Sequence, residues 1–134
     1  MGIMYPRQPQ AGLSAQINVV PGEFLKDDHK IIRGIKVDSS ARDAGNVGYT
    51  QVLRAGLVMA KITSGGNYKQ YNASASDGSQ IAVGILYDTV SVVDGYGNVT
   101  NADGVLVVHG LVDSTKVIGA DAGAIADLVN VIFW

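Results

Sequence analysis

Along most of this chain the apolar positions come in short runs, separated by glycine-rich polar breaks, rather than at the spacing of an amphipathic helix. The run LVMAKI (residues 57–62) reads as a strand. Ser64-Gly65-Gly66-Asn67 supplies the positive-φ residues a hairpin turn needs, and YKQYN (68–72) is the returning strand. SASDGSQ, with Asp77-Gly78 at its tip, forms the next turn. IAVGILYDTV (81–90) is apolar at nearly every position, as expected of a strand buried on both faces. DGYGNVTNADG is a long loop with three glycines, and VLVVHGLV (105–112) is a further apolar strand.

The period changes near the end. Ile125, Leu128, Val129 and Ile132 fall at helical spacing, and Asp121 stands where an N-cap would be. The pattern predicts a short helix, with NVIFW leaving it as a last strand. Upstream, KIIRGIKVD (30–38) alternates: Ile31, Arg33, Ile35 and Val37 share one parity, Ile32, Gly34 and Lys36 the other. A lone strand of this kind cannot satisfy its edges or bury a face. It must pair with the rest of the chain or with another chain.

Charge divides the 134 residues unevenly. Residues 1–48 hold six of the ten basic side chains, five of the twelve acidic ones and all three prolines. This predicts an extended N-terminal arm over 1–48 and a glycine-punctuated β-rich body over 49–134. Only 16% of the chain is charged, against roughly 25% in an average domain. Seventeen glycines with so few charges fit a β-rich protein with many tight turns, or one that covers surface in an assembly. The net charge of −2 gives no basic footprint for nucleic acid. The tyrosines near turns lack the Arg and Lys flanks of a base-stacking surface.

The residues argue against chemistry. There is no cysteine, so disulfides, thiolate metal sites and cysteine nucleophiles are excluded. His29 lies in the charged segment and His109 in an apolar strand, where a packed or edge histidine is expected. No HxH or HExxH spacing occurs, and DDHK reads as a solvated loop. Gly65-Gly66 and Gly95-Tyr96-Gly97 lack the contexts of phosphate loops. No apolar run approaches the ~18 residues of a membrane helix. A secretory signal is not expected, nor is myristoylation. No cofactor is expected either. Tyr68, Tyr71, Phe133 and Trp134 carry large apolar area with polar tips nearby, which suits an interface.

From Leu53 to Trp134 the segments AGLVMAKI, YKQYN, SDGSQIAVGIL and VLVVHG, followed by an Ala-rich helix and the closing VIFW, resemble the lambda-type phage head decoration protein family. DGSQIAVGIL (77–86) is the most specific of these. The resemblance implies a mainly β, β-clip-like fold with a short C-terminal helix, and no enzymatic activity. It implies a homotrimer on the outside of the virion, at three-fold positions of the expanded head. There it would clamp the major capsid protein against the pressure of packaged DNA. It also implies an arm, disordered in the free protein, that adds a strand to the capsid protein. Ile31, Ile32, Arg33, Ile35 and Val37 are the expected arm strand. Alternatives are a small β-barrel module that binds a ligand or partner, and a tail or baseplate component.

Overall fold

The computed structural model describes residues 22–27 and 29–134. The described residues form strands β1 (Ile31–Val37), β2 (Val52–Leu53), β3 (Val58–Lys61), β4 (Tyr68–Gln70), β5 (Ala82–Leu86), β6 (Val90–Ser91), β7 (Ala102–Val112) and β8 (Val131–Phe133), with one helix, α1 (Ala122–Asp127), before β8. The main sheet runs β1-β4-β3-β5-β7-β8, and β1 also pairs with β7, which closes the first five strands into a small barrel. β2 and β6 form a separate ribbon.

β7 organises this arrangement. Antiparallel β1 follows it from Val37↔Ala102 to Ile31↔His109, β5 pairs at Val107 and Leu106, and β8 runs parallel to its last three residues. The β1–β7 register slips between Ile31 and Ile32, opposite His109 and Val107, so a bulge leaves Val108 unpaired there. β1 meets β4 at one residue pair only, Val37↔Tyr68.

The apolar runs lack alternation because both faces of the sheet are covered. Met59, Leu86 and Leu106 face one cluster with Val37, Leu53 and Val92. Their neighbours Val58, Ile85 and Val107 face a second, closed by Phe24, α1 and β8. The ten-residue run at 81–90 is accordingly two strands: β5 ends at Leu86, and Val90 begins β6.

The helix is as short as expected, and its N-cap is Asp121, whose carboxylate accepts from the Ala124 N–H at 2.8 Å. The expected apolar face of that helix is not buried as a unit. Of its four residues only Leu128 is buried; Ile125, Val129 and Ile132 are exposed, because the helix stops at Asp127 and the chain turns into β8.

The drop in charge at Gly48 does not mark a structural boundary. Phe24 is 1% exposed in the second cluster, and β1 is a barrel strand. Residues 38–51 pack as a loop against the body, anchored by the buried Asp43 and Asn46. Residues 1–21, the remainder of the expected arm, lie outside the described residues. Asp38 ends β1 and ties it to the 62–67 turn: its carboxylate accepts from Asn67 Nδ2 at 3.0 Å and from the Ser40 hydroxyl and N–H.

Two glycines in the sheet test the packing. A Cβ at Gly84 would sit 2.6 Å from Leu106 Cγ and 2.7 Å from the Val107 carbonyl, whereas one at Gly34 would meet nothing within 4 Å. Gly84→Ala is expected to cost about 1–3 kcal/mol by overpacking. Gly34→Ala is expected to be neutral, or stabilising by roughly 0.5 kcal/mol. Urea unfolding of the two variants checks the contrast.

Candidate functional site

The expected arm strand is divided along its length: Ile31 and Arg33 share the parity of Ile35 and Val37, but only the last two are buried. Ile35 and Val37 point into the first core cluster, so their side chains are unavailable to a partner. Ile31, Ile32 and Arg33 are exposed. Because the β4 ladder is a single pair, the second edge of β1 from Ile31 to Lys36 has no strand partner among the described residues. Lys36 is held by Asp103 across the β7 ladder at 2.6 Å, both side chains in solvent.

The loop after β1 is held stiffly. Arg54 Nε and Nη2 donate to the two oxygens of Asp43 at 2.7 and 3.0 Å. Asp43 is 2% exposed, and the Asp43 carboxylate holds the Arg54 guanidinium above its usual pKa. Asn46 Nδ2 donates to the Tyr49 and Val52 carbonyls. Held this way, the loop projects Val47, 85% exposed, at its tip.

Between this loop and residues 118–119 lies an open hollow of about 320 Å³, lined by Arg42, Asp43, Gln70, Tyr71, Asn72 and Ile118 among others. Its polar groups are engaged with their own chain. Arg42 Nη1 donates to the Ser39 and Ala41 carbonyls, and Gln70 Oε1 accepts from the Arg42 N–H. The Tyr71 hydroxyl donates to Asp121 Oδ1 at 3.0 Å; desolvation first, then Asp121, raises its pKa. No nucleophile and base face each other here. Among the described residues no three His, Asp or Glu side chains converge as metal ligands.

The four aromatics expected at an interface are not gathered together. Tyr68 packs against the first core cluster, whereas Tyr71 and Phe133 pack against the second. Only Trp134 is largely exposed, at 73%, with Lys26 Nζ 5.9 Å from its ring centroid. Sequence reading missed other exposed apolar groups. Ile81 and Val83 flank Ala82, whose N–H donates to Asp127 on α1; Ile125 lies on α1, Val129 in the turn after it, and Ile132 on β8. Tyr96, 92% exposed, caps a turn in which the Asp94 carboxylate accepts from the Tyr96 and Asn98 N–H groups, which lowers its pKa. In sequence the aliphatic ones among these look like core, and no local signal separates them from buried neighbours.

The barrel is closed and mainly β, bonds the polar groups of this hollow to its own chain and leaves large aliphatic side chains in solvent. The model of one family, bacteriophage lambda head decoration protein D, matches residues 34–131, well over half of the chain. The chain belongs to that family, which places it among the structural proteins of the phage capsid. The match begins inside β1, upstream of the Leu53 at which the resemblance in sequence started. No curated protein matches the chain. No helix among the described residues is long and apolar enough to cross a membrane.

Two outcomes are expected at this surface. Arg54→Ala leaves the buried Asp43 carboxylate unpaired. Breaking a buried pair costs about 3–5 kcal/mol, and the part-exposed guanidinium reduces this to roughly 2–3 kcal/mol. Adding Asp43→Asn should recover part of the loss in a double-mutant cycle by urea unfolding. The Asn67 and Ser40 hydrogen bonds lower the pKa of Asp38. The folded state therefore binds this proton more weakly than the unfolded chain. The associated stability is present above about pH 4 and fades as pH falls through the folded pKa. Melting curves from pH 6 down to about pH 2 should show a smaller acid loss in Asp38→Asn.

Proposed function

We propose that this protein binds the expanded icosahedral head as a homotrimer at three-fold positions and stabilises it against the pressure of packaged DNA. The family match over residues 34–131 carries this reading. The exposed Ile81, Val83, Ile125, Val129, Ile132 and Trp134 supply apolar area for self-association. A cement protein needs area and repetition rather than a catalytic group. A trimer offers each capsid contact three times, so modest contacts multiply through effective concentration.

The segment preceding the barrel, with the open edge of β1, grips the major capsid protein. Main-chain hydrogen bonds along Ile31–Lys36 ask little of the partner's sequence. Ile31, Ile32 and Arg33 are the side chains on offer there, and Ile35 and Val37 hold the strand in its own barrel.

The decisive experiment mixes the purified protein with expanded, undecorated heads and images them. Density at three-fold positions is expected, and heads that stay bare overturn the reading. Light scattering of the free protein should give a trimer at micromolar concentration. Removing residues 1–21 leaves every described contact in place, so that truncation should stay folded and bind heads much more weakly. Truncation through Val37 removes β1, and with it closure of the barrel, and should not fold.

A further inference from the structure

The open edge of β1 carries specific chemistry as well as backbone. Two hydrogen bonds fix which of its groups face outward. The Asp38 N–H donates to the Tyr68 carbonyl on β4 at 2.8 Å. Backbone groups alternate along a strand, so those of Lys36, Gly34 and Ile32 point to that same side. On the other side, the Tyr87 N–H donates to the Val105 carbonyl at 2.8 Å. Val105 therefore turns its backbone away from its ladder neighbour Gly34, and Gly34 turns its own N–H and C=O away from β7. By both routes the N–H and C=O groups of Ile32, Gly34 and Lys36 form one open row, with no strand opposite among the described residues.

The side chains along this row are cationic. From Lys30 to Val37 the chain carries Lys30, Arg33 and Lys36 and no carboxylate. Arg33 is exposed, and no ion pair joins it to another described residue. The face over Gly34 is vacant. We propose that the strand this edge accepts is acidic: it sets a carboxylate beside Arg33 and a large apolar side chain over Gly34. The inference rests on the reading, given above, that the edge takes a partner strand. Neighbours on one face of adjacent strands attract when oppositely charged and repel when alike. The Arg fork holds a carboxylate through two parallel N–H groups. A large side chain opposite a glycine fills the space its missing Cβ leaves, here beside the exposed Ile32 on the same face.

A second copy of this chain fits the edge poorly. Two β1 edges paired antiparallel about Gly34 leave two glycines face to face. They also bring the two Arg33 side chains to diagonal positions on one face, within reach of each other. Basic residues on an edge strand keep it from pairing with its own kind. The carboxylates nearest the row do not offset this charge. Asp103 is taken by Lys36, and Asp38 by Asn67 and Ser40. The same charge therefore draws an acidic strand and turns away a copy. Main-chain hydrogen bonds supply the affinity, and Arg33 and Gly34 supply the choice.

Amide hydrogen exchange by NMR on the full chain tests it, with the strand peptides TVTEFETVT and TVTKFKTVT as probes. Each reads the same in either direction, so strand orientation does not matter, and each puts its charges on the face opposite its phenylalanine. With the glutamate peptide, exchange at the Ile32, Gly34 and Lys36 amides should slow roughly tenfold, as about 90% occupancy requires. The lysine peptide should leave these amides unchanged. Arg33→Glu, an exposed substitution, should reverse the preference. Equal protection by both peptides, protection by neither, or a preference unchanged in Arg33→Glu each overturns the inference. Protection without peptide overturns it too: if it grows with protein concentration, the edge belongs to a second copy, and if it vanishes on removing residues 1–21, to the chain's own segment. Expanded heads keep the two readings apart. Bare heads with a charge-selective edge sink only the capsid reading, and decorated heads with an indifferent edge sink only this one.

Discussion

The fold depends on one strand having every part of its length paired. β7 is eleven residues long and takes β1 along most of its length, β5 in its middle and β8 at its end. A strand shared in this way must be apolar on both faces, and it must bend to serve partners of different direction. The bulge at Val108 supplies the bend, and the run VLVVHGLV supplies the two faces. Closure through β1–β7 follows, and it turns a flat sheet with two loose edges into a barrel with short, local openings.

A barrel covered on both faces has consequences for its polar groups. The hydrogen-bonding side chains of residues 38–51 and of the hollow beside them are used to hold the chain to itself. The bidentate Arg54–Asp43 pair fixes the loop without presenting a free charge. Among the described residues, aliphatic side chains and the β1 edge from Ile31 to Lys36 are left open. These are the materials of a contact protein, in keeping with the family to which the chain belongs.

Much of this was legible in the chain. The 57–72 hairpin, the apolar strand that became β7, the Asp121-capped helix and the last strand all stand where local pattern put them. Each depends on short-range signals: positive-φ residues at Gly65 and Gly66, a carboxylate at an N-cap, and runs too apolar for anything but interior. The resemblance carried in DGSQIAVGIL also led to the right family, which needs only residues in order along the chain.

Position in space was another matter. Composition separated residues 1–48 from the body, because charge and proline count are properties of a segment. The ladder from Ile31 to Val37 is a contact across some seventy residues, and no local pattern announces it. The same limit applies to exposure. Val129 and Leu128 are adjacent aliphatic residues, and only the turn after Asp127 decides that one is buried and the other faces water. The sequence by itself determined the hairpin, the long apolar strand, the capped helix and the last strand, and that they need an interior. Tertiary structure alone decided which strand closes the barrel and which apolar side chains are left outside it, since each depends on chain segments brought together only by folding.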